Sequence, residues 1–401
     1  MTRSTMRSIL VLNVGSSTLK FGVFQLSSGD DALLRGVLDR SGHNAGELRT
    51  IDASGRSQSV RVAARSDGAI GEVLRVVADQ LGVDTVEAVG HRLVHGGSTM
   101  RAPVTIDSAV RAELERLVPL APEHLPEELH AIDEVSRYDP ALVQVACFDT
   151  AFHASLPNVA RLFGIPRGLS DSGVVRYGFH GLSYEYITAT LRERGQLPAR
   201  LIIAHLGNGA SLCAVRDGMS IDTSMGMTPA GGVVMSTRTG DLDPGVLLYL
   251  MRSRGFTRQE LEDATDRRGG LLGISALSGD VRELLAASAD NPRAREAIEI
   301  FCYKIRKFIG AYAAALGGLD ALVFTGGIGE HAAQIRSAIC SDLGFLGMEI
   351  DAGLNNVGAP LISAASSRVL VRVEHTLEDV MIARHVRALL RKAPVDGVLS
   401  A

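Results

Sequence analysis

Four side chains in this 401-residue sequence stand where backbone can come close to a bound molecule. Arg92, in GHRLVHGG, and Arg238, in STRTGD, each have glycines beside them. A guanidinium fork suits carboxylate or phosphoryl oxygens, although either arginine taken alone also reads as a surface ion pair. Asp149 follows the largely apolar run Leu142 to Phe148, a place where a carboxylate is held at a crevice. His180, in RYGFHG, lies between an aromatic and a glycine, and such a histidine is either structural or catalytic. Cationic forks, an imidazole and a carboxylate are the equipment for handling anionic oxygens.

Glycine turns supply the second half of that chemistry. HLGNGAS, from His205 to Ser211, follows the apolar run Leu201 to Ala204 and precedes Leu212 to Val215. ILVLNVGSSTLKFGVF, residues 9 to 24, has the same layout, so that Asn13 aligns with His205, Gly15 with Gly207 and Ser17 with Gly209. FTGGIGE, ending at Glu330, is a third such turn. Glycines at strand ends expose successive N–H groups without Cβ interference, which suits phosphate oxygens. A tight turn without a ligand is the other reading of any one of them, and no P-loop pattern is present. Gly327, Gly329 and Ala332 also fit the dinucleotide pattern GxGxxA, with Glu349 about twenty residues on, which would make the chain an NAD-dependent oxidoreductase. That reading leaves the other two turns unexplained. Two similar hairpins far apart suggest two similar domains facing one ligand.

The elements that position these groups read as α/β. Residues 27 to 68 alternate weakly and read as irregular strands and loops. A helix is expected over 69 to 81, a strand from Val86 to Val89, a helix over 109 to 118 capped by Asp107, and a strand from Leu142 to Phe148. This closes a domain near residue 150. Beyond the 201 to 216 hairpin come helices near 243 to 252, 257 to 265 and 293 to 316, then the strand Leu322 to Phe324. Thr376 and Asp379 read as a capping box for a final helix that returns to the first domain.

Composition narrows the class. Hydrophobic residues make up 46% and charged ones 21%, a globular balance, and a net charge of −4 argues against nucleic acid or a membrane surface as partner. The four cysteines form no CxxC and read as reduced core residues, so a cytoplasmic protein is expected. Arg3 and Arg7 imitate the start of a signal peptide, but the apolar run behind them breaks at Asn13.

From end to end the chain resembles the acetate and propionate kinase family. The segments that carry the resemblance are NVGSSTLKFGVF, GHRLVHGG, FDTAFH, RYGFHG, HLGNGAS, DTSMGMTP, TRTGDLDP, the triplet Asp280 to Arg282, and FTGGIGE. The resemblance implies two duplicated actin-like (ribonuclease H-like) domains with a nucleotide cleft between them. The first would span 1–150, with the helix 378–401 returning to it. The second would span 151–377, binding nucleotide and making a homodimer. It implies reversible ATP-dependent phosphorylation of a small carboxylate, acetate first and propionate second, with Mg²⁺ or Mn²⁺. Arg92, Asp149, His180 and Arg238 would be catalytic, and Asn13 and Glu378 would hold the metal. Lys20, His205, Leu206, Gly207, Asn208, Gly209, Asp280, Val281, Arg282, Gly326, Gly327, Ile328, Gly329 and Glu330 would meet ATP. Arg92, Val94, Glu123, Phe179 and Pro229 would meet the acid.

The chain also departs from the family pattern. Glu123 and Leu125 stand in LAPEHLP where LAPLHNP is usual, and Leu182 and Tyr184 stand in GFHGLSY where GFHGTSH is usual. TLED replaces TNEE around Glu378, and TPAGG replaces TPLEG. A Glu123 side chain in the acyl pocket would favour a polar acid; turned to solvent, it would leave His124 or Leu125 to fill the gap. A non-catalytic nucleotide-binding regulator on the same fold is the alternative of a different class. Loss of Asp149, Arg92 or Arg238 would favour it, and all three are present.

Overall fold

A computed structural model describes residues 7–15, 18–27, 29–39, 45–63, 68–82 and 85–392 of the chain. It divides into two compact units, residues 1–151 with 377–401 and residues 152–376. Ser16 and Ser17 of the first glycine turn, and the end of the expected final helix beyond residue 392, lie outside the described residues.

In the first unit, β1 (Ser8–Val14), β2 (Thr18–Gln25), β3 (Ala32–Asp39), β4 (Ala45–Asp52) and β5 (Ser57–Ala63) form an antiparallel meander. On the other side of β1 run β6 (Val86–Leu93) and β8 (Val143–Phe148), both parallel to it, with the short β7 (Val104–Thr105) at the edge. The described strands β3 to β5 are therefore far more regular than the weak alternation of residues 27 to 68 suggests. Leu34, Leu38, Leu48 and Val62 are buried on one face, while the opposite face keeps Arg35, Arg49 and Arg61 in solvent. Outer strands with one wet face need few apolar residues, which dilutes their signal. Helices Ala69–Leu81 and Leu125–Tyr138 close the core through Val73, Val77, Ala131 and Val135.

The final helix, Glu378–Lys392, buries Val380, Ile382, Ala383 and Val386 and packs on the same sheet. It approaches so closely that a Cβ at Gly90 of β6 would come within 2.5 Å of an Ile382 methyl. The expected capping box is not formed at its start. The Thr376 hydroxyl finds no hydrogen-bond partner among the described residues, and Asp379 turns to Arg35 at 2.9 Å. An ion pair available only in the folded state draws the carboxylate away from the helix end.

The second unit repeats the strand order on a smaller scale. β9 (Arg200–Leu206), β10 (Ala210–Arg216) and β11 (Met219–Thr223) are antiparallel neighbours, and β12 (Ala321–Thr325) and β13 (Leu370–Val373) continue the sheet in parallel from β9. The order β11-β10-β9-β12-β13 matches β3-β2-β1-β6-β8 of the first sheet. Strands β9, β10 and β12 are buried almost throughout, as expected for a sheet covered on both faces. Helix Gly181–Glu193 lays Tyr184, Ile187 and Leu191 on one face, against Leu201, Ile203, Cys213, Val215 and Val323.

Helix Pro292–Leu316 is marked at both ends by the sequence. Asn291 accepts N–H bonds from Arg293 and Ala294, proline follows, and Gly317 ends the helix at φ +71°. Its apolar stripe, Phe301, Ile305, Ile309, Tyr312 and Leu316, is buried. All four cysteines are free and buried. Among the described residues no helix is long and apolar enough to cross a membrane.

Candidate active site

Parallel strands bring their C-terminal ends to one edge of each sheet, and the candidate residues collect there. In the first unit, Asn13 is the penultimate residue of β1, Arg92 that of β6, and Asp149 follows β8 directly. Arg92 Nη2 donates to Asp149 Oδ2 at 2.5 Å, and Nη1 reaches Asn13 Oδ1 at 3.4 Å. Its Nε lies 3.8 Å from Glu378 Oε2, at the first turn of the final helix. Burial opposes the charge of Arg92, but Asp149 and then Glu378 outweigh it, so the guanidinium is held more firmly protonated than usual. Lys20 lies directly opposite Asn13 in the β1–β2 register and is exposed.

The loop after β6 is pinned by side chains. Val94 N–H donates to Glu128 Oε2 at 3.0 Å, Gly96 N–H to Thr150 Oγ1 at 3.1 Å, and Gly97 N–H to His95 Nδ1 at 2.8 Å. These bonds replace the ladder partners that the chain loses when it leaves the sheet. Glu128, from helix Leu125–Tyr138, is 1% exposed, and its Oε1 has no hydrogen-bond partner among the described residues. Burial pushes its carboxyl up to about 8, with Asp149 adding to the rise and Arg92 and the Val94 amide opposing it. Sequence reading missed Glu128, because a glutamate in a helix beginning LPEEL reads as a solvated first-turn acid. Glu123 is exposed, and Leu125 takes the buried position nearby.

In the second unit, His180 occupies the left-handed region at φ 58° and precedes helix Gly181–Glu193. Its ring stacks on His205 at 4.2 Å between centroids. His180 Nδ1 lies 2.8 Å from Ser211 Oγ, and His205 Nδ1 lies 2.8 Å from Ser183 Oγ. His205 is the penultimate residue of β9, as Asn13 is of β1. At the tip of the hairpin a Cβ on Gly209 would sit 3.3 Å from His180 Nε2 and 3.7 Å from Arg238 Nη1. The glycine thus lets the two side-chain nitrogens converge over the backbone. Arg238 Nη1 also donates to the Pro229 carbonyl at 3.2 Å, and the Asn208 carbonyl accepts Ser236 N–H at 3.2 Å. Phe179 is buried, and its carbonyl accepts from His153 Nε2 at 3.0 Å. Burial pushes the His153 imidazole down to about 4, so it is neutral.

The third glycine turn meets the second. Gly326 has φ +76°, and a Cβ there would lie 2.8 Å from the Leu206 carbonyl oxygen. Glu330 Oε1 accepts Gly326 N–H at 3.0 Å, folding the turn back on itself. Arg336, 1% exposed, was also missed: its Nη1 donates at 2.9 Å to the carbonyls of both Gly329 and Glu330. Asp280 caps its helix by accepting Arg282 N–H at 2.7 Å, and the Arg282 side chain is almost fully exposed.

Two sheets of one strand order, each with its charged groups at the parallel strand ends, are the duplicated actin-like architecture of α/β kinases. The chain belongs to the acetokinase family, whose model matches residues 8–384. An acetate kinase of Rhodopseudomonas palustris (strain TIE-1) is 44% identical over 94% of this chain and 97% of its own length. A propionate kinase of Citrobacter rodentium (strain ICC168) is 42% identical over 96% of this chain and 98% of its own. The crystal structure of Porphyromonas gingivalis acetate kinase superposes with a TM-score of 0.87 at 37% identity, covering 96% of this chain and all of that one. The dinucleotide reading of Gly327 to Ala332 does not stand beside this membership.

The buried glutamate generates a pH dependence. Glu128 holds its proton to about 8 in the folded chain, whereas its ordinary value is 4.5. Between those values the unfolded chain binds fewer protons than the folded one, so stability falls as pH rises. Glu128→Gln copies the protonated form. Its stability relative to wild type should therefore improve between pH 5 and pH 8, by up to about 1.4 kcal/mol per pH unit. Chemical denaturation at the two pH values measures this, and a constant difference would contradict the assignment.

Proposed function

We propose that this chain phosphorylates a short-chain carboxylate with ATP, reversibly, acetate being the first choice and propionate the second. The observation that carries this reading is the convergence of His180 Nε2 and Arg238 Nη1 over Gly209. The Arg92 cluster of the first unit supports it, with a guanidinium fixed for a carboxylate. A carboxylic acid of pKa about 4 to 5 is already ionised at neutral pH and needs no general base. The task is to join two anions in line and to stabilise the charge that spreads over the transferring phosphoryl group, which is work for fixed donors.

We assign Arg92 to the substrate carboxylate and Asp149 to the orientation of that guanidinium. His180 and Arg238 act on the transferring phosphoryl group, and His205 and Asn208 add donors. Lys20, Leu206 to Gly209, Asp280 to Arg282 and Gly326 to Glu330 surround the nucleotide. Val94, Phe179 and Pro229 wall the acyl group, with Glu123 at the rim.

The divalent cation of such a reaction fits the residues present. Asn13 Oδ1 and Glu378 Oε2 are hard oxygen donors in one cluster around Arg92. They would hold Mg²⁺ or Mn²⁺ and leave the other positions to water and phosphate oxygens, as magnesium prefers. Bound there, the cation neutralises phosphate charge. Four buried thiols suit a reducing compartment, which supports the cytoplasm.

A hydroxamate trap with ATP, Mg²⁺ and a panel of acetate, propionate and a hydroxy acid tests the activity. Acetate should give the most trapped product, and no product with any acid would end the reading. Arg238→Ala should lower turnover by about two to three orders of magnitude, as the loss of an oxyanion donor does. Near-normal turnover in that variant would remove Arg238 from the phosphoryl site.

The close approach at Gly209 gives a second measurement. A methyl group 3.3 Å from His180 Nε2 displaces whatever the two donors hold. In Gly209→Ala we expect kcat to fall by at least about tenfold while the melting temperature stays within a few degrees. Unchanged kcat would place the reaction away from the hairpin tip.

A homodimer is proposed on the surface of the second unit. Helix Pro244–Arg254 has no buried residue, and Val246, Leu248, Tyr249 and Met251 are exposed. Such a cluster of exposed apolar side chains suits a second copy of the chain. Light scattering should give twice the chain mass, and Tyr249→Asp should shift it towards the monomer; a monomeric wild type would refute the proposal.

A further inference from the structure

His180 caps the start of helix Gly181–Glu193, and Tyr184 stands in its first turn, its N–H donating to the His180 carbonyl at 3.1 Å. His180 is left-handed at φ 58°, outside the helix proper, so its convergence with Tyr184 is a matter of tertiary contact rather than of helix periodicity. Both meet one hydroxyl. His180 Nδ1 lies 2.8 Å from Ser211 Oγ, and the Tyr184 hydroxyl is hydrogen-bonded to the same oxygen. Tyr184 and Ser211 are fully buried, which keeps bulk water from reorienting either hydroxyl. The phenol ring is held edge-on to His153 at 5.6 Å and tilted against Phe152 at 6.3 Å.

We propose that Tyr184 is a positioning residue that fixes the tautomer of His180 through Ser211. The phenol O–H donates to Ser211 Oγ, the serine O–H donates to His180 Nδ1, and the ring proton is thereby kept on Nε2. The direction follows from ordinary donor and acceptor strengths. A phenol is a stronger acid than an aliphatic alcohol, and an imidazole nitrogen is a stronger acceptor than a hydroxyl oxygen. With both donations made, Nδ1 is an acceptor and Nε2 must carry the hydrogen. Nε2 is the atom that faces Gly209 and Arg238. A neutral imidazole then offers an N–H to an anionic phosphoryl oxygen, whereas the other tautomer would offer a lone pair and repel it. The consequence for turnover rests on the proposed function; the tautomer itself does not.

Tyr184→Phe keeps the ring and removes only the hydroxyl. Without the phenol donation nothing directs the Ser211 O–H towards His180, its oxygen can accept from Nδ1–H instead, and the Nδ1–H tautomer should appear. Nitrogen-15 spectra of histidine-labelled protein, with the His180 signals identified by their loss in His180→Gln, read this directly. Wild type should show Nε2–H alone, and Tyr184→Phe a mixture. Acyl phosphate formation should lose about tenfold or more in kcat, with KM for ATP and for the acid within twofold, because a wrong tautomer spoils the reacting complex rather than binding. Wild-type His180 carrying its proton on Nδ1 would overturn the proposal even if the variant failed to fold. So would a Tyr184→Phe protein with unchanged tautomer and unchanged kcat. A wild type that holds the Nε2–H tautomer but phosphorylates no acid would instead count against the proposed function alone.

Discussion

Parallel pairing at the centre of each sheet is the constraint on which the rest of the structure depends. β1 with β6 and β8, and β9 with β12 and β13, run the same way, so their chains all leave the sheet at one edge. Parallel β-sheets carry their ligand-handling groups at that edge. Asn13, Arg92 and Asp149 reach one another in the first unit for this reason, although they are far apart in sequence. The pairing of Thr325 with His205 does the same for the second, setting the turn at Gly326 on the backbone of Leu206. A slip of one residue in either register would turn each of these side chains to the opposite face.

The charged groups are held before any ligand arrives. Arg92 is mostly buried and keeps its charge because Asp149 and Glu378 lie beside it. Removing a charge from water is costly unless it is paired and hydrogen-bonded, and the cluster meets that condition from three elements. The side chains of the second unit are fixed in another way. Ser211 and Ser183 hold the two imidazoles by their Nδ1 atoms, and Pro229 holds a nitrogen of Arg238. Donors that need no rearrangement are the ones that stabilise developing charge most.

The departures from the family pattern divide according to burial. Leu125, Leu182 and Tyr184 are buried, and each fills space in the fold. Glu123 is exposed, so the change from an apolar residue leaves no carboxylate stranded in the core. Tyr184 does more than fill space, because its hydroxyl joins the hydrogen bonds around His180.

The sequence by itself determined the central hairpins, the helices with strong punctuation and the identity of most charged groups. These are local matters: Asp107 and Asn291 cap the helices that follow them, and glycines mark the turns where backbone must come close. It also carried the family, since nine short segments in fixed order leave little room for another fold. Only the tertiary structure decided the remainder. The meander of β3 to β5 is hidden because half of each strand faces water. Asp379 is taken from its helix end by Arg35, which the sequence places 344 residues away. Glu128, Arg336 and the Ser211 hydroxyl matter because of what packs around them, and burial, which fixes the charge of a carboxyl and the direction of a hydroxyl, is a property of the whole fold.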